Sequence, residues 1–139
     1  MAGKSDFLEQ LFLNLVFKGT TNAAWASAAG SATQLIVALH TADPLSNEAT
    51  GTQSTSEATY TSYARQTKNR STDWSITGST INPAANIDFP QCTGGTNTIT
   101  HFSIGDGTNI LYAGAVTPNI SVSNGVIPRL TTATAISED

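Results

Sequence analysis

The sequence predicts a mainly β fold, an antiparallel β-sandwich or barrel-like domain of roughly seven to nine strands preceded by one N-terminal amphipathic helix. Three observations predict it. Apolar residues recur with a helical period between Asp6 and Lys18, and this period ends at Gly19. Beyond that point, short runs of strand length are separated by turn residues. Thr and Ser, which suit half-buried strands and turns, make up about a quarter of the chain.

The N-terminal helix has signals at both ends. Ser5 or Asp6 is placed to accept the free amide hydrogens of the first turn, and Glu9 adds negative charge where the helix dipole favours it. Lys18 lies at the opposite pole, and Gly19 is a typical terminator. One face of this helix carries large apolar side chains, which we predict to form an interface: Phe7, Leu8, Leu11, Phe12, Leu15 and Val16.

Length and local composition predict how the chain is organised. Its 139 residues suffice for one domain with a core and are too few for two ordinary domains. We expect a docking helix over residues 1–19, a connecting arm of small and polar residues over 20–32, and a β-sandwich over 33–139.

The first half of the β region contains two long strand candidates. Gln34–His40 is an apolar run of strand length that ends before Asp43 and Pro44. Residues 45–58 are rich in Ser, Thr, Gly and Glu and are predicted to form an exposed loop. Tyr60–Arg70 alternates as a half-buried strand does. Shorter candidates lie at 74–76, 80–81 and 86–89.

The clearest hairpin joins Thr98–Ile104 to Asn109–Ala115 through the turn residues 105–107. Simple alternation predicts Ile99 on one face of the first strand with residues 101 and 103, and Phe102 on the other face with 100 and 104. Two final strands are predicted at 119–122 and 126–134.

Composition and charge argue against several classes of partner. Only 12% of residues are charged, the net charge is −4, and Lys and Arg form no cluster, so neither nucleic acid nor an anionic membrane is an expected partner. The apolar run at 11–17 is shorter than the roughly 20 residues of a membrane span, and its flanks do not fit a secretory signal. With one cysteine, Cys92, an intrachain disulfide is excluded.

Residues that carry chemistry are few. His40 and His101 lie within predicted strands, and no third ligand stands at metal-binding spacing, so we expect no metal site. Asp106 lies between two glycines and is predicted to form a hairpin turn. A calcium loop would need several carboxylates, and this stretch has one. Cys92 has no neighbouring base or cation that would activate its thiol. We therefore expect no enzymatic activity and no cofactor.

A glycan-binding module is the main alternative to a structural role. Aromatic side chains can form platforms on which sugars stack. The candidates for such a platform are Trp25, Trp74, Tyr60, Tyr63 and Tyr112.

Five short motifs occur in a fixed order behind the N-terminal helix. They are Val37-Ala-Leu-His-Thr-Ala-Asp-Pro44, Tyr63-Ala-Arg-Gln66, Ile87-Asp-Phe-Pro90, Thr98-Ile-Thr-His-Phe-Ser-Ile-Gly-Asp106 and Leu111-Tyr-Ala-Gly114. Together they resemble a family of small tailed-bacteriophage virion proteins commonly labelled phage tail fibre protein. The resemblance covers nearly the whole chain.

The resemblance implies a non-enzymatic structural protein of the virion, built as a β-sandwich and used in multiple copies. A tail-fibre or collar position and a capsid cement (decoration) position both fit it. Its expected partners are other virion structural proteins and further copies of the same chain, with a host-surface glycan as the partner of the alternative module. The resemblance supplies no catalytic, cofactor-binding or metal-binding residues.

Overall fold

The computed structural model describes residues 3–18 and 34–137. The predicted connecting arm, 20–32, lies outside the described residues. The described part contains one helix and ten strands in chain order: β1 Gly3–Lys4, α1 Asp6–Lys18, β2 Gln34–His40, β3 Gln66–Asn69, β4 Trp74–Thr77, β5 Thr80–Pro83, β6 Ile87–Asp88, β7 Asn97–Gly105, β8 Ile110–Val122, β9 Arg129–Leu130 and β10 Ile136–Ser137.

The strands form three antiparallel sheets. The largest has the order β1-β8-β7-β2-β3, and the others are β10-β5-β4 and β6-β9. All three contribute to one apolar core, so the large sheet is covered on one face by the two smaller sheets. The core includes Val37, Leu39, Ile87, Phe89, Ile99, Phe102, Ile104, Val122, Leu130 and Ile136. The predicted fold class, a mainly β sandwich-like domain with one N-terminal helix, is confirmed.

The other face of the large sheet carries α1. Leu111 and Ala113 of β8 are buried outside the main core cluster, whereas Tyr112 between them packs against that cluster. Because successive residues of a strand point to opposite faces, Leu111 and Ala113 lie on the face away from the core. The helix contacts β8 there and buries Leu8.

Ser5 fixes where α1 begins. Its Oγ accepts a hydrogen bond from the Leu8 amide at 3.3 Å, as a helix N-cap does, and donates one to the Ile110 carbonyl. Its own amide donates to the Leu111 carbonyl at 3.1 Å. Just before it, β1 pairs with β8 through Gly3 and Lys4. β1 was not predicted, because a strand of two residues shows no alternation.

The predicted hairpin is confirmed, with an irregularity that changes its faces. Ile99 pairs with Ile120 and His101 with Ala115, so Thr100 alone stands opposite residues 116–119 of β8. This bulge shifts the alternation by one residue, and Ile99 and Phe102 both enter the core. The predicted assignment of these two side chains to opposite faces is therefore wrong.

Other differences concern loops and the last strands. The predicted exposed loop 45–58 contains two buried residues, Gln53 and Ala58. Only Gln66–Asn69 of the predicted strand 60–70 pairs in the sheet, because the chain turns at Tyr60 through Tyr63. The predicted strand 119–122 is the end of β8, and 126–134 retains only the short β9.

Candidate functional site

The far end of α1 exposes a cluster of large apolar side chains. Exposure rises along the helix from 5% at Leu8 to 46% at Phe12, 57% at Leu13, 70% at Val16 and 79% at Phe17. These last four residues, called here the apolar tip, are four of the six exposed large hydrophobic residues in the described part of the chain. Lone exposed apolar residues are ordinary, but such a concentration on one element is typical of interaction surfaces.

The geometry of a helix explains why the two halves of α1 differ. At 100° per residue, Leu8 and Leu11 point towards β8, and the apolar tip spans an arc of roughly 140° on the outward side. Phe7 and Leu11 are half-buried within their own chain. The Leu15 side chain lies outside what the structure describes.

The predicted interface set is thus divided by the structure. Phe12 and Val16 are exposed, whereas Leu8 is enclosed by its own chain. Leu13 and Phe17 join the exposed group, and the sequence signal for them was their apolar character beside the stripe. The assignment of these residues to an interface stays a prediction.

The aromatic residues suggested for a glycan platform do not form an exposed face in the described residues. Tyr60 is 3% exposed, and its hydroxyl donates to the Pro90 carbonyl at 2.9 Å. Tyr63 stacks on Phe89 at a centroid distance of 6.3 Å. Trp74 and Tyr112 pack against the core, and Trp25 lies outside the described residues. Glycan binding stays a prediction without support from these side chains.

His40 lies in a buried polar network on the face of the large sheet that points away from the core. Its Nδ1 is 2.8 Å from the Thr55 carbonyl, which can only accept, so Nδ1 carries the hydrogen. Nε2 therefore accepts from the Ser103 hydroxyl, 2.7 Å away. Gln53 Nε2 donates to that hydroxyl oxygen at 3.2 Å and to the Ile36 carbonyl at 2.9 Å. Three segments distant in sequence are joined in this way.

A Ser–His pair at this distance resembles part of a hydrolase site, but its surroundings give it a structural role. His40, Ser103 and Gln53 are all 0% exposed, so no substrate atom reaches the hydroxyl. The third partner of the imidazole is the Thr55 carbonyl and not a carboxylate. The network instead fastens the 41–58 segment to the sheet.

An ion pair between Arg65 and Glu57 also holds the 41–58 segment, on its more exposed side. Arg65 donates to both carboxylate oxygens of Glu57, from Nε at 2.6 Å and from Nη2 at 2.8 Å. Arg65 also donates to the Gly107 carbonyl, and Tyr63 donates to Glu57 at 3.0 Å. Burial alone would raise the pKa of Glu57, but the hydrogen bonds from Arg65 and Tyr63 outweigh it and the net pKa is lowered.

We expect stability to fall on acidification below pH 6.5 because burial lowers the pKa of His40 below its usual 6.5. In that interval the unfolded chain binds more protons than the folded chain, so the free energy of unfolding rises with pH by at most about 1.4 kcal/mol per pH unit from this group. The carboxylates with lowered pKa, such as Glu57, add their loss at lower pH. Urea unfolding at pH 7.5 and pH 5.5 measures the effect.

The control for this pH dependence is His40→Gln, whose side chain can donate and accept but does not titrate. We expect its free energy of unfolding to change less between the two pH values than that of the natural chain. An equal change in both proteins would contradict the role given to His40.

The remaining chemical candidates serve local structure. His101 Nδ1 contacts the Thr100 hydroxyl at 2.9 Å. Asp106 accepts from the amides of Thr108 and Asn109 at 2.9 and 2.7 Å, which confirms its place in the hairpin turn. Cys92 is fully buried. In the described residues, no group of three or more His, Cys, Asp or Glu side chains is arranged to hold a metal, and no helix is long and apolar enough to cross a membrane.

Comparison with known proteins identifies the family. A search of curated proteins gives no match. The family model described as podophage GP4 fiber I protein gp80 matches residues 3–136, which includes α1, β1 and nearly all of the β domain. The phage tail fibre type of family that the five motifs indicated is confirmed, and a structural role in the particle follows from it. The chain belongs to the podophage GP4 fiber I protein gp80 family and is a structural fibre protein of the phage virion.

Proposed function

We propose that this chain is a repeated, non-enzymatic subunit of the phage fibre and that the apolar tip of α1 attaches it to a neighbouring virion subunit. In this proposal residues 1–19 are the docking element and 33–139 form a rigid sandwich that carries loops and a weakly charged Thr- and Ser-rich surface. The observation that carries the proposal is the exposure of Phe12, Leu13, Val16 and Phe17 on one side of one helix.

Energetics favours such a contact. The four exposed fractions correspond to on the order of 400 Å² of apolar surface, since aromatic side chains bury about 150–250 Å² each and Leu and Val somewhat less. Covering this surface is worth roughly 10 kcal/mol gross at about 25 cal/mol per Å², before the costs of association. A small net gain in binding free energy at each copy is enough to hold an assembly together when the contact is repeated.

The family match favours a tail-fibre or collar position over a capsid cement position. Both positions require the same kind of contact, in which an apolar helix end is covered by a second protein. A glycan-binding role on the predicted platform would need exposed Trp and Tyr side chains, whereas Tyr60 is buried and Tyr63, Trp74 and Tyr112 pack against the core.

We expect replacement of the apolar tip by glutamine (Phe12→Gln, Leu13→Gln, Val16→Gln and Phe17→Gln) to reduce the number of copies in purified particles more than about tenfold. Glutamine keeps a good helix propensity, so the change removes apolar surface and leaves the helix. The measurement is quantitative mass spectrometry of particles, normalised to the major capsid protein.

The matched control replaces two exposed polar residues of the same helix, Glu9→Gln and Lys18→Gln. This control variant is expected to be incorporated normally. Circular dichroism and thermal unfolding of both purified variants check that the sandwich remains folded. Incorporation of the tip variant at the natural level, with its fold intact, would refute the proposed docking role.

A further inference from the structure

Two turns of the chain contain a dipeptide that is prone to spontaneous covalent change. The sequence has one Asn-Gly pair, Asn124 and Gly125, just after β8, and one Asp-Gly pair, Asp106 and Gly107, between β7 and β8. Glycine has no Cβ, so little hinders its backbone nitrogen from attacking the side-chain carbonyl carbon of the residue before it. Asparagine is in addition one of the thermolabile residues of proteins. Both pairs are therefore candidate sites of modification.

At Asn124 the reaction would be deamidation, with water as the only co-reactant. The Gly125 nitrogen loses its proton and forms a bond to Cγ of Asn124, while the bond between Cγ and the side-chain nitrogen breaks. That nitrogen takes up the proton and leaves as ammonia, and the product is a five-membered succinimide. Water then opens the ring at either carbonyl carbon and gives aspartate or isoaspartate, each with one added negative charge.

The electrophile of the Asn-Gly turn is free, but its nucleophile is held. Asn124 is exposed, and its side chain makes no hydrogen bond to the described part of the chain. The Gly125 amide donates to the Cys92 carbonyl at 2.8 Å, the Cys92 amide donates to the Val126 carbonyl at 2.8 Å, and Gln91 Nε2 donates to the Gly125 carbonyl at 2.9 Å. We call these three the turn bonds. Because the glycine nitrogen cannot attack while its hydrogen is held, the reaction requires local opening of the turn.

In the Asp-Gly turn both reacting groups are held. The Gly107 amide donates to Oε1 of the buried Gln53 at 2.8 Å, and the Asp106 carboxylate accepts from the Thr108 and Asn109 amides and from Asn109 Nδ2. Burial alone would raise the pKa of Asp106, but the hydrogen bonds from Asn109 and Thr108 outweigh it and the net pKa is lowered. Succinimide formation from aspartate expels water from a protonated carboxyl group, so the ionised Asp106 is spared.

We propose that Asn124 is the site at which this chain deamidates spontaneously, and that the turn bonds hold the reaction to a slow rate in the folded subunit. Isoaspartate carries the main chain through the former side chain and so adds one atom to the turn. This added length is incompatible with all three turn bonds at once, so deamidation loosens the end of β8 from the 91–92 segment. Subunits of a released virion are not replaced, and this rate limits how long each one keeps its original turn.

Ageing of the purified chain tests the assignment. Samples are kept at 37 °C and pH 8, either folded or in guanidinium chloride, and peptide mass spectrometry follows the gain of about 1 Da at each asparagine and the formation of isoaspartate. We expect Asn124 to react before every other asparagine and Asp106 to stay unchanged in the folded chain. The rate at Asn124 is expected to be at least about tenfold higher in guanidinium chloride than in the folded chain.

Gln91→Ala tests the role of the turn bonds, because it removes the one that a side chain donates. We expect the rate at Asn124 in the folded variant to rise about three- to fivefold, as for the loss of one ordinary hydrogen bond, and the rate in guanidinium chloride to stay the same. The matched control is Gln66→Ala, whose lost side chain donates to the carbonyls of Ala64 and Arg65, and it should leave the rate unchanged.

Circular dichroism checks that both variants are folded. Earlier deamidation at another asparagine of the folded chain would overturn the assignment of Asn124. Equal rates in the folded and unfolded chain, or an unchanged rate in folded Gln91→Ala, would overturn the role given to the turn bonds.

Discussion

His40→Ala is expected to lower the free energy of unfolding by about 3 kcal/mol, because the change opens a cavity and removes the imidazole partner of the Thr55 carbonyl and of the Ser103 hydroxyl hydrogen. The imidazole is fully buried and contacts Thr55 and Ser103 at 2.8 and 2.7 Å. Without it, the segment that contains Gln53 loses part of its attachment to the sheet. Urea denaturation followed by circular dichroism at pH 7.5 measures the loss.

The second histidine provides the control. His101 is half-buried, and its ring contacts the adjacent Thr100 hydroxyl. We expect His101→Ala to cost about 1 kcal/mol or less, in line with substitutions outside a core. Equal losses in the two variants would show that the buried network does not stabilise the fold as we describe.

Phe89→Ala is expected to lower the free energy of unfolding by about 3–5 kcal/mol, the usual cost of removing a buried phenylalanine. Phe89 is 2% exposed, stacks on Tyr63 and belongs to the apolar core. Its amide also donates to the Pro128 carbonyl at 2.9 Å, so the backbone contact survives the change. Chemical denaturation in dilute solution gives the value.

Phe12→Ala is the matched control because it is the same substitution on the apolar tip. Phe12 is 46% exposed in the single chain, and we expect its loss to cost about 1 kcal/mol in dilute solution. A large loss at Phe12 would mean that the tip is part of the chain's own core and is not available to a partner.

Local signals were sufficient to predict the helix and the main hairpin. Ser5, the acidic first turn and the apolar period place α1 at Asp6–Lys18 without reference to any other part of the chain. The turn around Asp106 joins β7 to β8 because its carboxylate accepts from amides two and three residues ahead. Both features depend on residues close together in sequence.

Features that depend on distant partners could not be predicted from the same residues. Gln53 stands in a stretch whose composition indicates an exposed loop, yet it is buried because Ile36, Ser103 and Gly107 supply partners for its amide. The bulge at Thr100 likewise depends on the register with β8. The residues around Gln53 give no local sign that it is buried, and the regular alternation of β7 gives no local sign of the bulge.

The candidate site divides in the same way. The apolar residues of α1 were visible in the sequence, but which of them face β8 and which face outward depends on how the helix is anchored at Leu8. A groove between 115–120 and 129–135 was likewise not predicted, because these two segments are distant in sequence and are brought together only by the fold.

The anchorage of α1 through Ser5 also determines how mechanical load would travel through the subunit. A pull on the helix reaches β8 at Ile110 and Leu111, and β8 is hydrogen-bonded along much of its length to β7. Tension is thus delivered to the interior of the five-stranded sheet and shared by several backbone bonds at once. A subunit attached through this helix, as proposed above, would pass load into β8 and its hydrogen bonds with β7 and not into a loop.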